Sequence, residues 1–367
     1  MNSFFDLYKS YGLKVDMELS TFCNAGCPQC SRTDDQNNRC GPKSWLTLDQ
    51  VTLETFKKWF PKEHLEHIHN FHFSGTYGDP GMCKDLYEIV EYITNYPSEK
   101  HPCSVSINTN GSMRNPEFWW KLSHLPRIKV IFDVDGIDQT MHSLYRQGTT
   151  LKKVLENLEA FADGPGRTEV FTVLFKHNQN HLEDIQRVCY RLGADACYHV
   201  ESNRFKSGPR HSFIDINGEK QVLEQITREE KSQKSDAIAR LVRDHRHFDR
   251  VKDVNQINCV AMQRGDLKIN VHGQIYPCCY LADGTEVITT YSTTEKPYAN
   301  ITSTGKYGGP ISDIMKKYIT NKSDFSLQNY SIKDIVSHDW FEKDLIQTFK
   351  DVDTATFGCK FICGKCV

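Results

Sequence analysis

The sequence predicts an α/β fold: a parallel sheet built from strand–helix units, followed by a smaller cysteine-bearing module. Three observations carry this. Between residues 17 and 201, short apolar strands alternate with amphipathic helices of roughly ten to fifteen residues, the pattern of βα crossovers. Three cysteines crowd one loop directly after the first strand, and a second group, Cys259, Cys278, Cys279, Cys359, Cys363 and Cys366, lies beyond residue 258. Six strand–helix units are too few to close an eightfold barrel.

Taken in order, Met17–Thr21 is a weakly alternating first strand that delivers the loop Cys23-Asn24-Ala25-Gly26-Cys27-Pro28-Gln29-Cys30. Residues 31–43 are a polar connector. Thr47 followed by Gln50 is a capping-box pattern, opening a helix with Val51, Leu53, Phe56, Trp59 and Phe60 on its apolar side and Pro61 as its stop. Phe71–Ser74 is the second strand and runs into Gly75-Thr76-Tyr77-Gly78-Asp79-Pro80, and the next helix buries Leu86, Ile89, Val90 and Ile93. Ser104–Thr109 is the third strand, ended by Asn110-Gly111; Asn115-Pro116 opens a helix, Asn as cap and Pro at the first helical position. Lys129–Val134, Glu169–Phe175 and Cys197–Glu201 are strands four to six, separated by helices at 151–162 and 181–192. Each motif falls at a strand end.

This organisation gives three segments, with 1–202 as the sheet domain. Residues 203–258 are mixed-charge and read as a helical bridge with Val222, Ile226, Ile238 and Leu241 inward; the alternative is a basic surface of Arg240, Arg243, Arg246 and Arg250 for tRNA or an acidic peptide. Residues 259–367 form the second module. There, strands 267–271 and 274–277 flank a His272-Gly273 turn, 283–309 is loop, and helices follow near 311–318 and 339–349.

The 45 basic and 47 acidic residues leave a net charge of -2, so no overall positive field argues for nucleic acid. No apolar run is long enough to span a bilayer, and the N-terminal residues lack the cationic flank and apolar core of a signal peptide, so the expected location is the cytoplasm. Fourteen cysteines in that compartment argue for metal sites rather than disulfides; Cys40, Cys83, Cys103, Cys189 and Cys197 are scattered and read as small core residues.

A CxxC alone can bind zinc or be redox-active. Three thiols within eight residues, with no nearby His to complete a tetrahedral set, fit an iron–sulfur cubane with one open iron better than zinc. The spacing and its place after the first strand closely resemble the radical S-adenosylmethionine (SAM) superfamily. That resemblance implies a partial (β/α)6 TIM-type barrel with its chemistry on the loops after the strands, followed by a small α+β auxiliary cluster domain. It implies that Cys23, Cys27 and Cys30 hold a [4Fe–4S] cluster whose fourth iron is chelated by SAM, and that an electron donor such as flavodoxin or ferredoxin serves it. Gly75 to Pro80 resembles the family's GGEP motif, with Gly78-Asp79-Pro80 in its place, so Gly75, Gly78 and Asp79 are candidate SAM contacts. Ser106, Asn108, Asp133 and Asp135 stand where the family places ribose and carboxylate contacts. Asp135-Gly136, His142 and Arg146 resemble its Asp-Gly…His…Arg pattern, in which Arg146 would neutralise the SAM carboxylate.

Cys259, Gly273 and Cys278 resemble the opening of a SPASM or twitch extension, and Cys363-Gly364-Lys365-Cys366 its close. This implies one auxiliary [4Fe–4S] cluster on Cys259, Cys278, Cys363 and Cys366, with Cys279 and Cys359 spare; a structural zinc on the same four is the competing expectation. The resemblance points to oxidative modification of a peptide or protein side chain, with dehydrogenation of a small alcohol or sugar as the alternative. A zinc-stabilised RNA-binding protein is the alternative of another class.

Overall fold

The computed structural model describes residues 2–34, 39–96, 102–202, 204–205, 208–226, 254–282 and 312–365. Its centre is an eight-stranded sheet, parallel except for one edge pair. We number its strands β1 (Leu13–Met17), β2 (Ile68–Phe73), β3 (Ser104–Thr109), β4 (Ile128–Asp133), β5 (Arg167–Leu174), β6 (Ala196–Glu201), β7 (Asp266–Ile269) and β8 (Ile275–Tyr276). Their spatial order is β8-β7-β1-β2-β3-β4-β5-β6. The connecting helices are α1 (Leu53–Trp59), α2 (Leu86–Thr94), α3 (Pro116–Ser123), α4 (Leu151–Ala162) and α5 (Leu182–Arg191). This is the partial TIM-type barrel expected from the sequence.

Strand alternation sorts the side chains by face. Val15, Phe71, Val105, Val130 and Phe132 are buried on the helix-covered side, where Phe56 meets Phe71 and Trp119 meets Phe132 at ring separations of 5.4 and 5.2 Å. The intervening positions put a polar row on the lumen side, in register Lys268–Asp16–His72–Ser106–Lys129 across five strands.

Several elements depart from expectation for identifiable reasons. The first strand lies at 13–17 rather than 17–21, because Leu13, Val15, Met17 and Leu19 form one fully buried alternating series that begins earlier. The cap of α1 is Thr52, whose side chain accepts from Thr55 N–H, rather than Thr47. Thr21 Oγ1 donates to the Thr47 carbonyl and accepts from Asp49 N–H, both at 2.8 Å, which holds that stretch extended. An N-terminal helix, Phe4–Lys9, was not anticipated; Ser3 and Asp6 form its capping box, a signal present in the sequence.

The bridge also differs. Arg210–Ile214 and Lys220–Glu224 form an antiparallel hairpin rather than helix. Asn217-Gly218 sits at its turn, Gly218 has φ +89°, and Asp215 Oδ1 accepts from the N–H groups of Asn217 and Glu219. Val222 is consequently exposed, whereas Ile226 is buried as expected. Ile238, Leu241, the four arginines from Arg240 to Arg250, and the loop at 283–309 lie outside the described residues. The hairpin joins Arg39–Pro42 and Thr33–Asp34 in a four-stranded sheet. Phe213 and Leu223 from it pack with Tyr145, Phe175, Cys27 and Cys40, roofing the cysteine loop.

Beyond residue 258, the expected hairpin is present as β7 and β8, with Gly273 at φ +81° in its turn. Strand β7 additionally pairs in parallel with β1, which continues the main sheet. No helix among the described residues is long and apolar enough to cross a membrane.

Candidate active site

Cys23, Cys27 and Cys30 share one cavity of about 180 Å³ with Gly75, Gly78, Asp79, Asn108, Asn110, Asp133 and Arg146, at the C-terminal ends of β1 to β4. The loop is fixed from several sides. Gly26 N–H donates to Gln147 O at 2.8 Å, and a Cβ on Gly26 would stand 2.8 Å from Ile216 of the roofing hairpin. Thr33 Oγ1 donates to Cys27 O at 2.6 Å. Burial, with Asp79 next in weight, pushes the Cys23 thiol up to about 12; burial also raises Cys27, against the pull of Arg146. Both thiols therefore need a bound cation to ionise at neutral pH.

The Gly75–Pro80 turn packs so closely on itself and on Ser20, just before this loop, that no side chain fits at Gly75 or Gly78. A Cβ on Gly75 would stand 1.7 Å from Gly78 O, and one on Gly78 would stand 1.9 Å from Ser20 O. Asp79 does not present a free carboxylate. Its Oδ1 accepts from Thr109 Oγ1 and Gly81 N–H, and its Oδ2 from Asn110 N–H, all at 2.8 Å. Asn110 in turn donates to Asn24 Oδ1 at 3.0 Å, so Asp79 ties the end of β3 to the cysteine loop. A larger cavity, about 310 Å³, lies behind the same turn, walled by Tyr77, Trp45, Tyr276 and Tyr318, and contains none of the cysteines.

Arg146 is engaged differently from expectation. Its guanidinium pairs with Asp133 Oδ2 at 2.9 Å and Asp135 Oδ2 at 2.5 Å, and stands 4.0 Å from Cys27 Sγ. Asp135 is fully buried beneath it and also accepts from Val173 N–H. Burial pushes the Asp133 carboxyl up to about 7; Arg146 opposes this, and Asp135 and Asp79 add to it. His142 supports the arrangement. Its Nδ1 accepts from Asp135 N–H, so its Nε2 carries the proton and donates to Thr149 Oγ1 at 3.0 Å, and Thr149 Oγ1 donates to Arg146 O. Burial drives His142 down to about 4, so the imidazole is neutral and acts as a brace. Gly136 is required at this point because a Cβ would stand 2.5 Å from His142 N.

Of the predicted cofactor contacts, Gly75, Gly78, Asp79, Asn108, Asp133 and Arg146 line the cavity; Asp135 and Ser106 do not. Ser106 shares a face with Asn108 but sits one layer deeper in the lumen, 2.8 Å from His72 Nδ1. Sequence reasoning missed Arg32, two residues after the last cysteine of the loop. It is buried, lines the cavity, and donates through Nε to Thr21 O, while its terminal nitrogens make no hydrogen bond to a described residue.

The donor set fits an iron–sulfur cluster carrying an amino-acid ligand. Among the described residues, no three Cys, His, Asp or Glu side chains stand close enough to hold a single metal ion. One tetrahedral ion with bonds of about 2.3 Å would draw its thiolates to about 3.8 Å apart, whereas a cubane takes each thiolate on a different iron and so tolerates wider spacing. Asn108 Oδ1 is buried in the cavity wall without a hydrogen-bond partner among the described residues, an acceptor able to take a donor from a ligand.

The second cysteine group is drawn together by antiparallel pairing of Gln256–Ile257 with Gly364–Lys365. The Cys259 and Cys363 thiols interact directly, which raises Cys259 and lowers Cys363 to about 7. Burial raises Cys278, and the neighbouring Cys279, Cys359 and Cys363 add to that. Cys359, which looked spare in the sequence, therefore stands with this group; Cys366 lies outside the described residues.

Residues 17–189, just under half of the chain, match the family model of the radical SAM superfamily. Mycofactocin maturase MftC of Mycobacterium ulcerans (strain Agy99) is 26% identical over 182 residues, 48% of this chain and 44% of that protein, so the chain spans less than half of that relative. Among solved structures, native anSMEcpe with bound AdoMet superposes with a TM-score of 0.53 at 14% identity, covering 96% of this chain and 89% of that one. Streptococcus suis SuiB bound to precursor peptide SuiA gives 0.50 at 11% identity, covering 97% and 72%. At these identities the structural likeness is one of fold.

Proposed function

We propose that this chain is a radical SAM enzyme that abstracts hydrogen from a side chain of a peptide or protein and oxidises it. Cys23, Cys27 and Cys30 would hold a [4Fe–4S] cluster, which would supply the electron for reductive cleavage of SAM and so the radical that abstracts hydrogen. The protein's part is to bind, orient and exclude water. Gly75 and Gly78 keep the turn flat enough for the SAM amino group to meet its backbone carbonyls. Asn108 Oδ1 accepts from the ribose, and Asp133 faces the same side. Arg32, rather than the doubly paired Arg146, supplies the cation for the SAM carboxylate. The roof of Phe213, Leu223, Tyr145 and Phe175 shields the cysteine loop.

The observation that carries this reading is the single cavity shared by three cysteines, a glycine turn without room for side chains, and the orphaned acceptor of Asn108. The peptide class draws support from SuiB, a structural relative bound to a precursor peptide. Cys259, Cys278 and Cys363, with Cys359 or Cys366 as the fourth ligand, would hold one auxiliary [4Fe–4S] cluster. It would take up the electron that the substrate loses, and a flavodoxin or ferredoxin would supply the first site.

Anaerobic purification tests the cofactors. About eight irons per chain are expected, falling to about four in Cys363→Ala. Incubation with SAM and dithionite should release 5′-deoxyadenosine. Zinc with little iron would mean that the cysteines are structural, and an intact cluster without 5′-deoxyadenosine would leave the chain without radical chemistry.

A further inference from the structure

We propose that His72 is the proton acceptor that the barrel lumen offers to the substrate, taking a proton at Nε2 from a hydroxyl, thiol or amide group of the peptide side chain being oxidised. This rests on the reading above. The assignment begins at Asn70. Its amide donates to Ser104 O at 3.2 Å; a carbonyl can only accept, so Nδ2 faces Ser104 and Oδ1 faces Ser106. With the Ser106 Oγ proton assigned to Asn70 Oδ1, at 3.4 Å, Ser106 Oγ accepts from His72 Nδ1 at 2.8 Å. His72 carries its proton on Nδ1, and Nε2 keeps its lone pair. Among the described residues Nε2 makes no hydrogen bond, and it is not sealed among the buried unpaired atoms, so it opens onto the lumen.

The surroundings suit a base. Register places His72 beside Asp16 on β1, and the charged groups that face it are Asp16, Lys268 on β7 and Lys129 on β4. Burial, aided by the two lysines, lowers the His72 pKa against the pull of Asp16, so the ring is neutral and able to accept. Burial would raise the Asp16 carboxyl, but it is held below its usual value, chiefly by Lys268 and with Ser74 Oγ donating to it. Its carboxylate is 3.2 Å from Lys268 Nζ and accepts from Ser74 Oγ, and Ser74 lines the cysteine cavity. His72 thus lies two residues below the cavity wall on the same strand, within the lumen that a substrate under SAM would fill.

The step is a proton transfer alone. The heteroatom–hydrogen bond breaks, its electron pair stays on the substrate, and an N–H bond forms at Nε2, giving an imidazolium that faces the Asp16 carboxylate. The accompanying one-electron oxidation belongs to the iron–sulfur acceptor of the proposed function.

Histidine-selective ¹⁵N labelling of the full, cluster-loaded chain tests the assignment, with the signal identified by its loss in His72→Gln. Near pH 7, Nδ1 is expected to be protonated and Nε2 unprotonated, and Ser106→Ala should shift the ring toward the opposite tautomer. Diethyl pyrocarbonate, which attacks unprotonated accessible imidazole nitrogen, should modify His72. An Nε2–H tautomer, an imidazolium at pH 7, or a His72 that stays unmodified while surface histidines react would each overturn the proposal. These readouts do not depend on SAM cleavage, so absence of 5′-deoxyadenosine would defeat the function above without touching them.

Discussion

Cys27→Ala is expected to abolish SAM cleavage. The variant should keep its secondary structure, because the lost Sγ faces a cavity at the edge of a small apolar cluster rather than the main core. Iron should fall from about eight toward about four per chain, the second cysteine group keeping its share. Release of 5′-deoxyadenosine under reducing conditions should drop on the order of 100-fold or more, since even support groups around a metal site are worth 10–100-fold. Anaerobic iron analysis with chromatography of the nucleoside checks both. Retention of cleavage in Cys27→Ala would remove the first site from the account.

Arg146→Met should be the most destabilising single change at the site. It would leave Asp135, which has no exposed surface, and the mostly buried Asp133 without their shared countercharge. Removing one partner of a buried ionic group costs about 3–5 kcal/mol, more than any packing the methionine could restore. Arg146→Lys should recover only part of this, because an ammonium cannot address two carboxylates with a planar fork. Denaturant unfolding of matched, equally loaded samples measures it. An Arg146→Met protein within about 0.5 kcal/mol of the parent would show that the two carboxylates are neutral and uncoupled from Arg146.

Much of this was legible in the sequence because its signals are local. Ser104–Thr109 and Leu151–Ala162 fall where alternation and helical periodicity place them, and Asn115-Pro116 caps its helix as its residue types dictate. The cysteine loop announces itself by spacing. Contacts made across the fold were not legible. The role of Arg146 depends on how the turn after Gln139–Ser143 folds back onto the end of β4, where Asp133 and Asp135 stand, and Asp79 is absorbed by Gly81 N–H of its own turn and by Thr109 Oγ1 and Asn110 N–H at the end of β3. Strand pairing of residues 266–269 with β1 is likewise a non-local event. The hairpin at 210–224 has a local signal too, since Asn217-Gly218 is a strong turn dipeptide, but the mixed charge around it also suits a solvated helix.

The central claim is that three thiolates leave one iron of the first cluster open to SAM. Mössbauer spectra of ⁵⁷Fe-loaded, anaerobically purified protein, recorded with and without SAM, address it directly. The account predicts that SAM shifts the parameters of one iron while the remaining irons keep theirs. A spectrum that SAM leaves unchanged would contradict it.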